Sequence, residues 1–88
     1  MEIFTVKSIV CEDMDGEQSR NEQYKFFPTK KAALKFVAEQ LTQIAQYARL
    51  EVFFDQNVDL DNAEYQLVGS LANSWYKLEF FLKKEVAQ

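Results

Sequence analysis

One stretch of this chain repeats its apolar residues at helical spacing and at no other, and it governs what the rest can fold into. Leu34, Val37, Leu41, Ile44 and Ala48 fall three or four residues apart, with Ala33 and Ala45 beside them. On a helix these side chains form a single buried stripe. Lys30, Lys31, Lys35, Glu39, Gln43 and Gln46 take the opposite, solvated face. Pro28 stops any preceding strand, and Thr29 is placed as the N-cap, its hydroxyl accepting from an amide that the first turn leaves unpaired. Lys30 and Lys31 then stand in the first turn, where the helix dipole disfavours cations by a few tenths of a kcal/mol each. Acidic neighbours would relieve that conflict.

A helix with one apolar stripe needs a second layer, and the segments around it alternate in twos. Over Glu2 to Cys11, Phe4, Val6, Ser8 and Val10 share one face while Ile3, Thr5, Lys7 and Ile9 share the other. Both faces carry apolar groups, which predicts a central strand. From Glu12 to Glu22 the pattern breaks into charges and amides around Asp15-Gly16. An Asp-Gly pair readily takes positive φ, so a hairpin is expected, with a loop longer than two residues and a second strand from Gln23 to Phe27. Beyond the helix, Leu50, Val52 and Phe54 alternate with Glu51 and Phe53; a strand is expected, although no Gly prevents the helix from running on to Asp55. Asp61-Asn62-Ala63-Glu64 fits a capping box, yet Tyr65, Leu67, Gly69 and Leu71 alternate. Gly69 would cost a helix interior about 1 kcal/mol, which favours a strand over Asp61 to Ala72. After a turn at Asn73-Ser74, a strand is expected from Trp75 to Glu85. Tyr76, Leu78, Phe80 and Leu82 point inward, and Trp75, Lys77, Glu79, Phe81 and Lys83 outward. The sum is an α+β fold: one domain over residues 1–88, a small antiparallel sheet of four to five strands, one long helix packed on one face.

Chemistry is harder to place. The 88 residues include no His, one Cys, two Gly and one Pro. Imidazole is the side chain that titrates near neutral pH, so its absence argues against acid–base catalysis and transition-metal binding. No glycine loop cradles a phosphate, and no thiol or hydroxyl has an imidazole partner. No enzyme activity, cofactor or metal is therefore expected. No apolar run approaches a membrane span, and the N-terminus lacks the features of a secretion signal, so a cytoplasmic protein with no membrane contact is expected. Cys11 is then a reduced thiol serving as a small apolar strand residue.

Charge is uneven. Glu12, Asp13, Asp15, Glu17 and Glu22 stand against Arg20 alone, and Glu51, Asp55, Asp59, Asp61 and Glu64 form a second run with no base among them. Joined in space, the two runs would concentrate more negative potential than the net charge of −4 implies. Carboxylates also gather in loops simply because loops are solvated. Asp55, Asn57, Asp59 and Asp61 alternate as oxygen ligands do at the start of an EF-hand, but Leu60 replaces the turn glycine and Gln66 the bidentate Glu, which leaves a polar turn. No basic stripe interleaved with aromatics suits direct nucleic-acid binding.

Trp75 and Phe81, with Phe53 as a possible third, share the outward face of the last strand. Either the helix covers that face or another surface does. Together these features lead to an expectation of a small acidic protein-binding module: an inhibitor that masks a basic or nucleic-acid-binding surface of a larger complex. Phage and mobile-element anti-defence proteins, such as anti-CRISPRs, are of that design. Its contacts would be Glu12, Asp13, Asp15, Glu17, Asp55, Asp59, Asp61, Glu64, Trp75 and Phe81. The alternative is a structural or accessory subunit, or a homodimer, assembling through the aromatic strand face.

Overall fold

The computed structural model describes residues 1–46 and 49–86. Five strands and one helix follow in the order β1 (Glu2–Met14), β2 (Glu17–Phe27), α1 (Lys30–Ala45), β3 (Glu51–Phe54), β4 (Gln66–Ala72) and β5 (Tyr76–Val86). The strands form one antiparallel sheet in the spatial order β2-β1-β5-β4-β3, with α1 on one face, as the alternation and the single helical stripe require. Ala48 of that stripe lies outside the described residues.

The first two strands correct the sequence reading. The hairpin loop is the two-residue turn Asp15-Gly16, closed by the pair Met14↔Glu17, and the ladder continues without interruption to Phe4↔Phe27. Both turn residues have positive φ, 54° and 80°, which is the twist that lets a two-residue hairpin join right-twisted strands. The polar flanks are strand after all: β2 is solvated on both faces except at Phe27, so it shows no apolar alternation. Gly16→Val is expected to cost about 1–2 kcal/mol. Nothing lies within 4 Å of a Cβ built there, so the whole effect is conformational and a denaturation midpoint reads it directly.

Thr29 caps α1 as expected, its hydroxyl accepting from the Ala32 amide at 3.1 Å. Ala33, Val37 and Leu41 are buried, and Leu34, Phe36, Ile44 and Ala45 pack at the edge of the core. Phe36, outside the predicted stripe, stacks between Phe27 at 5.3 Å and Phe80 at 6.3 Å. Lys30 forms no ion pair among the described residues; its ammonium donates to the Val58 carbonyl at 2.7 Å. The sheet contributes Phe4, Val6, Val68, Leu71, Leu78, Phe80 and Leu82, and the connection between β3 and β4 adds Val58 and Leu60. Only Gln66–Ala72 of the segment 61–72 is strand, with a bulge between Leu67 and Gly69. Asp61–Glu64 begins no helix.

Candidate protein-binding surface

Strand directions decide where each candidate residue lies. β1 runs from Glu2 to the Asp15-Gly16 turn, and β5 returns beside it from Glu12↔Tyr76 to Glu2↔Val86. The link between β3 and β4 leaves Phe54 and re-enters at Gln66, at the end where Leu82 pairs, remote from the hairpin turn. Asp55, Asp59, Asp61 and Glu64 therefore lie away from the hairpin carboxylates in a molecule 46 Å long, while Glu51, opposite Ala72, stands near the Asn73-Ser74 turn, so the two runs do not merge into one surface. Phe81 stands between them on the face of the sheet turned away from α1. It is six residues, or about 20 Å, along β5 from Trp75, so these two rings form no common patch either.

At the hairpin end the structure assembles half of the predicted set. The 16 residues of α1 span about 24 Å, whereas the 13 of β1 span about 43 Å, so the distal hairpin extends beyond the helix. Cross-strand register puts Glu12 and Glu17 on the helix side, Asp13 on the other and Asp15 in the turn. Among the described residues none of these four carboxylates forms an ion pair, and the two nearby bases are held elsewhere, Arg20 by Glu22 at 2.7 Å and Lys77 by Glu79 at 3.5 Å. Trp75 joins them because the Asp13 amide donates to its carbonyl at 2.9 Å. The turn that carries Trp75 is fixed by Asn73, whose side-chain oxygen accepts from the amides of Trp75 (3.0 Å) and Tyr76 (2.8 Å). The indole remains 46% exposed, edge-on to the Tyr76 ring at 5.8 Å. Between the hairpin and this turn runs an open groove of about 490 Å³ whose walls include Asp13, Arg20, Ser74, Trp75 and Lys77. Burial, and then the charge of Glu12, raise the Tyr76 phenol above its ordinary 10.0, so it stays neutral here at physiological pH.

At the other end two of the carboxylates are engaged in backbone turns. Asp55 accepts from the Asn57 amide at 2.9 Å and Asp59 from the Asp61 amide at 3.0 Å, side-chain turns that shape the connection. Asp61 approaches Lys84 at 4.0 Å, and Glu64 is exposed. No group of three or more acidic or thiol side chains with metal-binding geometry occurs among the described residues. The alternating Asp55, Asn57, Asp59 and Asp61 are thus accounted for by backbone turns.

The sheet face opposite α1 is covered by no second layer among the described residues. Tyr65 lies over part of it, with the ammonium of Lys7 4.3 Å and that of Lys83 5.5 Å from its ring centre. Thr5 and Ile9 are buried beneath their neighbours, while Tyr24, Phe26, Phe53 and Leu67 are exposed. Sequence reasoning missed Tyr24, Phe26 and Leu67. The signal was the alternation Gln18, Arg20, Glu22, Tyr24, Phe26, which is mostly polar and therefore silent to a hydrophobic pattern.

No described helix is long and apolar enough to cross a membrane. Comparison with protein-family models, with curated proteins and with solved structures finds no match.

Proposed function

We propose that this chain is a non-enzymatic, cytoplasmic binding module that applies its acidic hairpin end to a basic surface of a larger protein or nucleoprotein complex and so masks a nucleic-acid-binding site. Inhibitors of the anti-defence type carried by phages and mobile elements, anti-CRISPRs among them, work on this plan. The observation that supports it is that Glu12, Asp13, Asp15 and Glu17, none in an ion pair among the described residues, share the end of the sheet that carries an exposed tryptophan. Unpaired carboxylates steer a basic partner and set orientation, while an indole supplies a rigid apolar anchor at the centre of a contact.

The partner should be captured on the immobilised protein from a native lysate. Retention is expected to fall at least ~10-fold between low and moderate salt and to be competed by nucleic acid. Asp13→Lys with Glu17→Lys should abolish it, and Trp75→Ala should weaken it by more than about 1 kcal/mol. Asp59→Lys with Asp61→Lys should leave it unchanged. Salt-insensitive retention, or retention that follows the second pair and ignores the first, overturns the proposal. A second reading, an accessory subunit seated through the open sheet face, draws on the exposure of Phe53 and Leu67 beside Phe81; under it Phe81→Ala, rather than Trp75→Ala, weakens capture.

A further inference from the structure

β2 is an edge strand of 11 residues with no bulge in its pairing to β1 and no proline, so its outer side presents a long, regular row of unpaired backbone groups. The opposite edge, β3, is guarded by its brevity: four residues. Natural sheets usually protect long edges with prolines, bulges or charges; β2 has no proline and no bulge, and its charges come in both signs, Glu17 and Lys25 on the helix side, the latter over the Phe36 ring at 4.7 Å, and Arg20 and Glu22 on the other. Its charges obey a different rule.

We infer that β2 pairs with β2 of a second copy of this chain, antiparallel and centred on Asn21, to join the two sheets edge to edge. In that register Arg20 faces Glu22 of the second copy and Glu17 faces its Lys25, each pairing occurring twice by symmetry. All four charged residues of β2 thereby meet an opposite charge. Centring on Arg20 or on Glu22 sets like charges against each other, and centring on Ser19 or Gln23 pairs no charges at all. Opposite-charge cross-strand pairs stabilise and like pairs destabilise, so the sequence of β2 selects one register for itself.

Backbone geometry permits this register, as it permits any centred on a residue of β2. In a two-residue hairpin the closing pair, here Met14↔Glu17, exchanges both backbone hydrogen bonds, so Glu17, Ser19, Asn21, Gln23 and Lys25 direct their amides and carbonyls toward β1. The Asp13 amide, which points the other way to the Trp75 carbonyl, confirms this phase. Gln18, Arg20, Glu22, Tyr24 and Phe26 consequently direct theirs outward. A ladder centred on Asn21 sets Arg20 against Glu22 and Gln18 against Tyr24 as hydrogen-bonded pairs. Residues of outward phase thus meet only one another, as an antiparallel ladder demands. The Arg20–Glu22 pair already formed within each copy at 2.7 Å would close into a ring of four alternating charges about the two-fold axis. This inference does not rest on the function proposed above.

Sedimentation equilibrium of the full chain should show twice the 10.3 kDa chain mass at high concentration. Arg20→Glu should raise the dissociation constant at least ~10-fold with an unchanged circular dichroism spectrum, and adding Glu22→Lys should restore it. Register is read by cross-linking in a Cys11→Ser background. Asn21 opposes its own copy as a non-hydrogen-bonded pair about 4.5 Å apart, within disulfide reach. Asn21→Cys should then oxidise to a covalent dimer, Ser19→Cys and Gln23→Cys should each fail alone, and a mixture of the two should cross-link. A mass of 10.3 kDa at every concentration overturns the inference, as does equal cross-linking at all three positions. So does a dimer that ignores Arg20→Glu and dissociates on Phe81→Ala.

Discussion

Leu71→Ala is expected to remove about 3 kcal/mol of stability, measured as the shift in urea midpoint at constant slope. Leu71 has no solvent-exposed surface and stands in β4, between Val52 of β3 and Leu78 of β5, on the side of the sheet that α1 covers. Truncation removes the transfer free energy of the lost carbons and leaves a void that a rigid sheet and a helix cannot close together. A domain of this size has a total stability on the order of 5–10 kcal/mol, so a loss of that size brings the variant near its unfolding transition at ambient temperature. Leu67→Ala is the internal control. Leu67 lies in the same strand but is 37% exposed on the uncovered face, and its truncation should cost less than about 1 kcal/mol. If both variants lose the same amount, the assignment of the two faces of β4 is wrong.

Gly69→Val is expected to destabilise by about 3 kcal/mol through the opposite fault, too much matter instead of too little. A Cβ at this position would come within 2.9 Å of both Leu41 Cδ1 and Val37 Cγ1, and 3.5 Å from the Phe53 carbonyl oxygen. The glycine thus stands where α1 packs closely on the sheet, and its backbone takes no positive φ. The cause is space alone, unlike the turn glycine at position 16. Gly69→Ala should cost less, since the far end of Leu41 can shift, and Val37→Ala added to it should recover part of the loss. Such non-additivity is the signature of two side chains competing for one volume. Strictly additive losses would show that the helix does not press on β4 at this point.

How much of this was legible in the sequence follows from the range of the forces involved. The α1 stripe, the Thr29 cap and the inward row Leu78, Phe80, Leu82 are local patterns with a buried side, and burial writes itself into hydrophobic periodicity. The first two strands were foreseen too short and the hairpin loop too long. Glu12 to Glu22 is solvated strand held by its neighbour's backbone, and hydrogen bonds leave no mark on composition. Placement of the acidic runs was the larger miss. Each run was visible, but whether they meet depends on the direction of strands far apart in sequence, and the structure sets Asp55 to Glu64 away from the hairpin end while leaving Glu51 near it. Phe81 faces away from α1 as expected, but Trp75 falls in the turn before β5, and alternation does not make neighbours of residues six positions apart. Of the ten candidates, Glu12, Asp13, Asp15, Glu17 and Trp75 lie at one end of the sheet. Asp55 and Asp59 also accept from backbone amides two residues on, an employment that composition alone does not reveal.

The pairing of β1 with β5 joins the earliest and latest of these elements at the middle of the sheet, from Glu2↔Val86 to Glu12↔Tyr76. A chain emerging from the ribosome can close the hairpin and wind the helix early, but the seam between the two halves waits for the last strand to be made. Until then the apolar stripe of α1 and the inward side of β1 share no complete core. Folding of this molecule is therefore governed by loop closure across nearly its whole length, a slow and entropically costly step compared with forming its local parts.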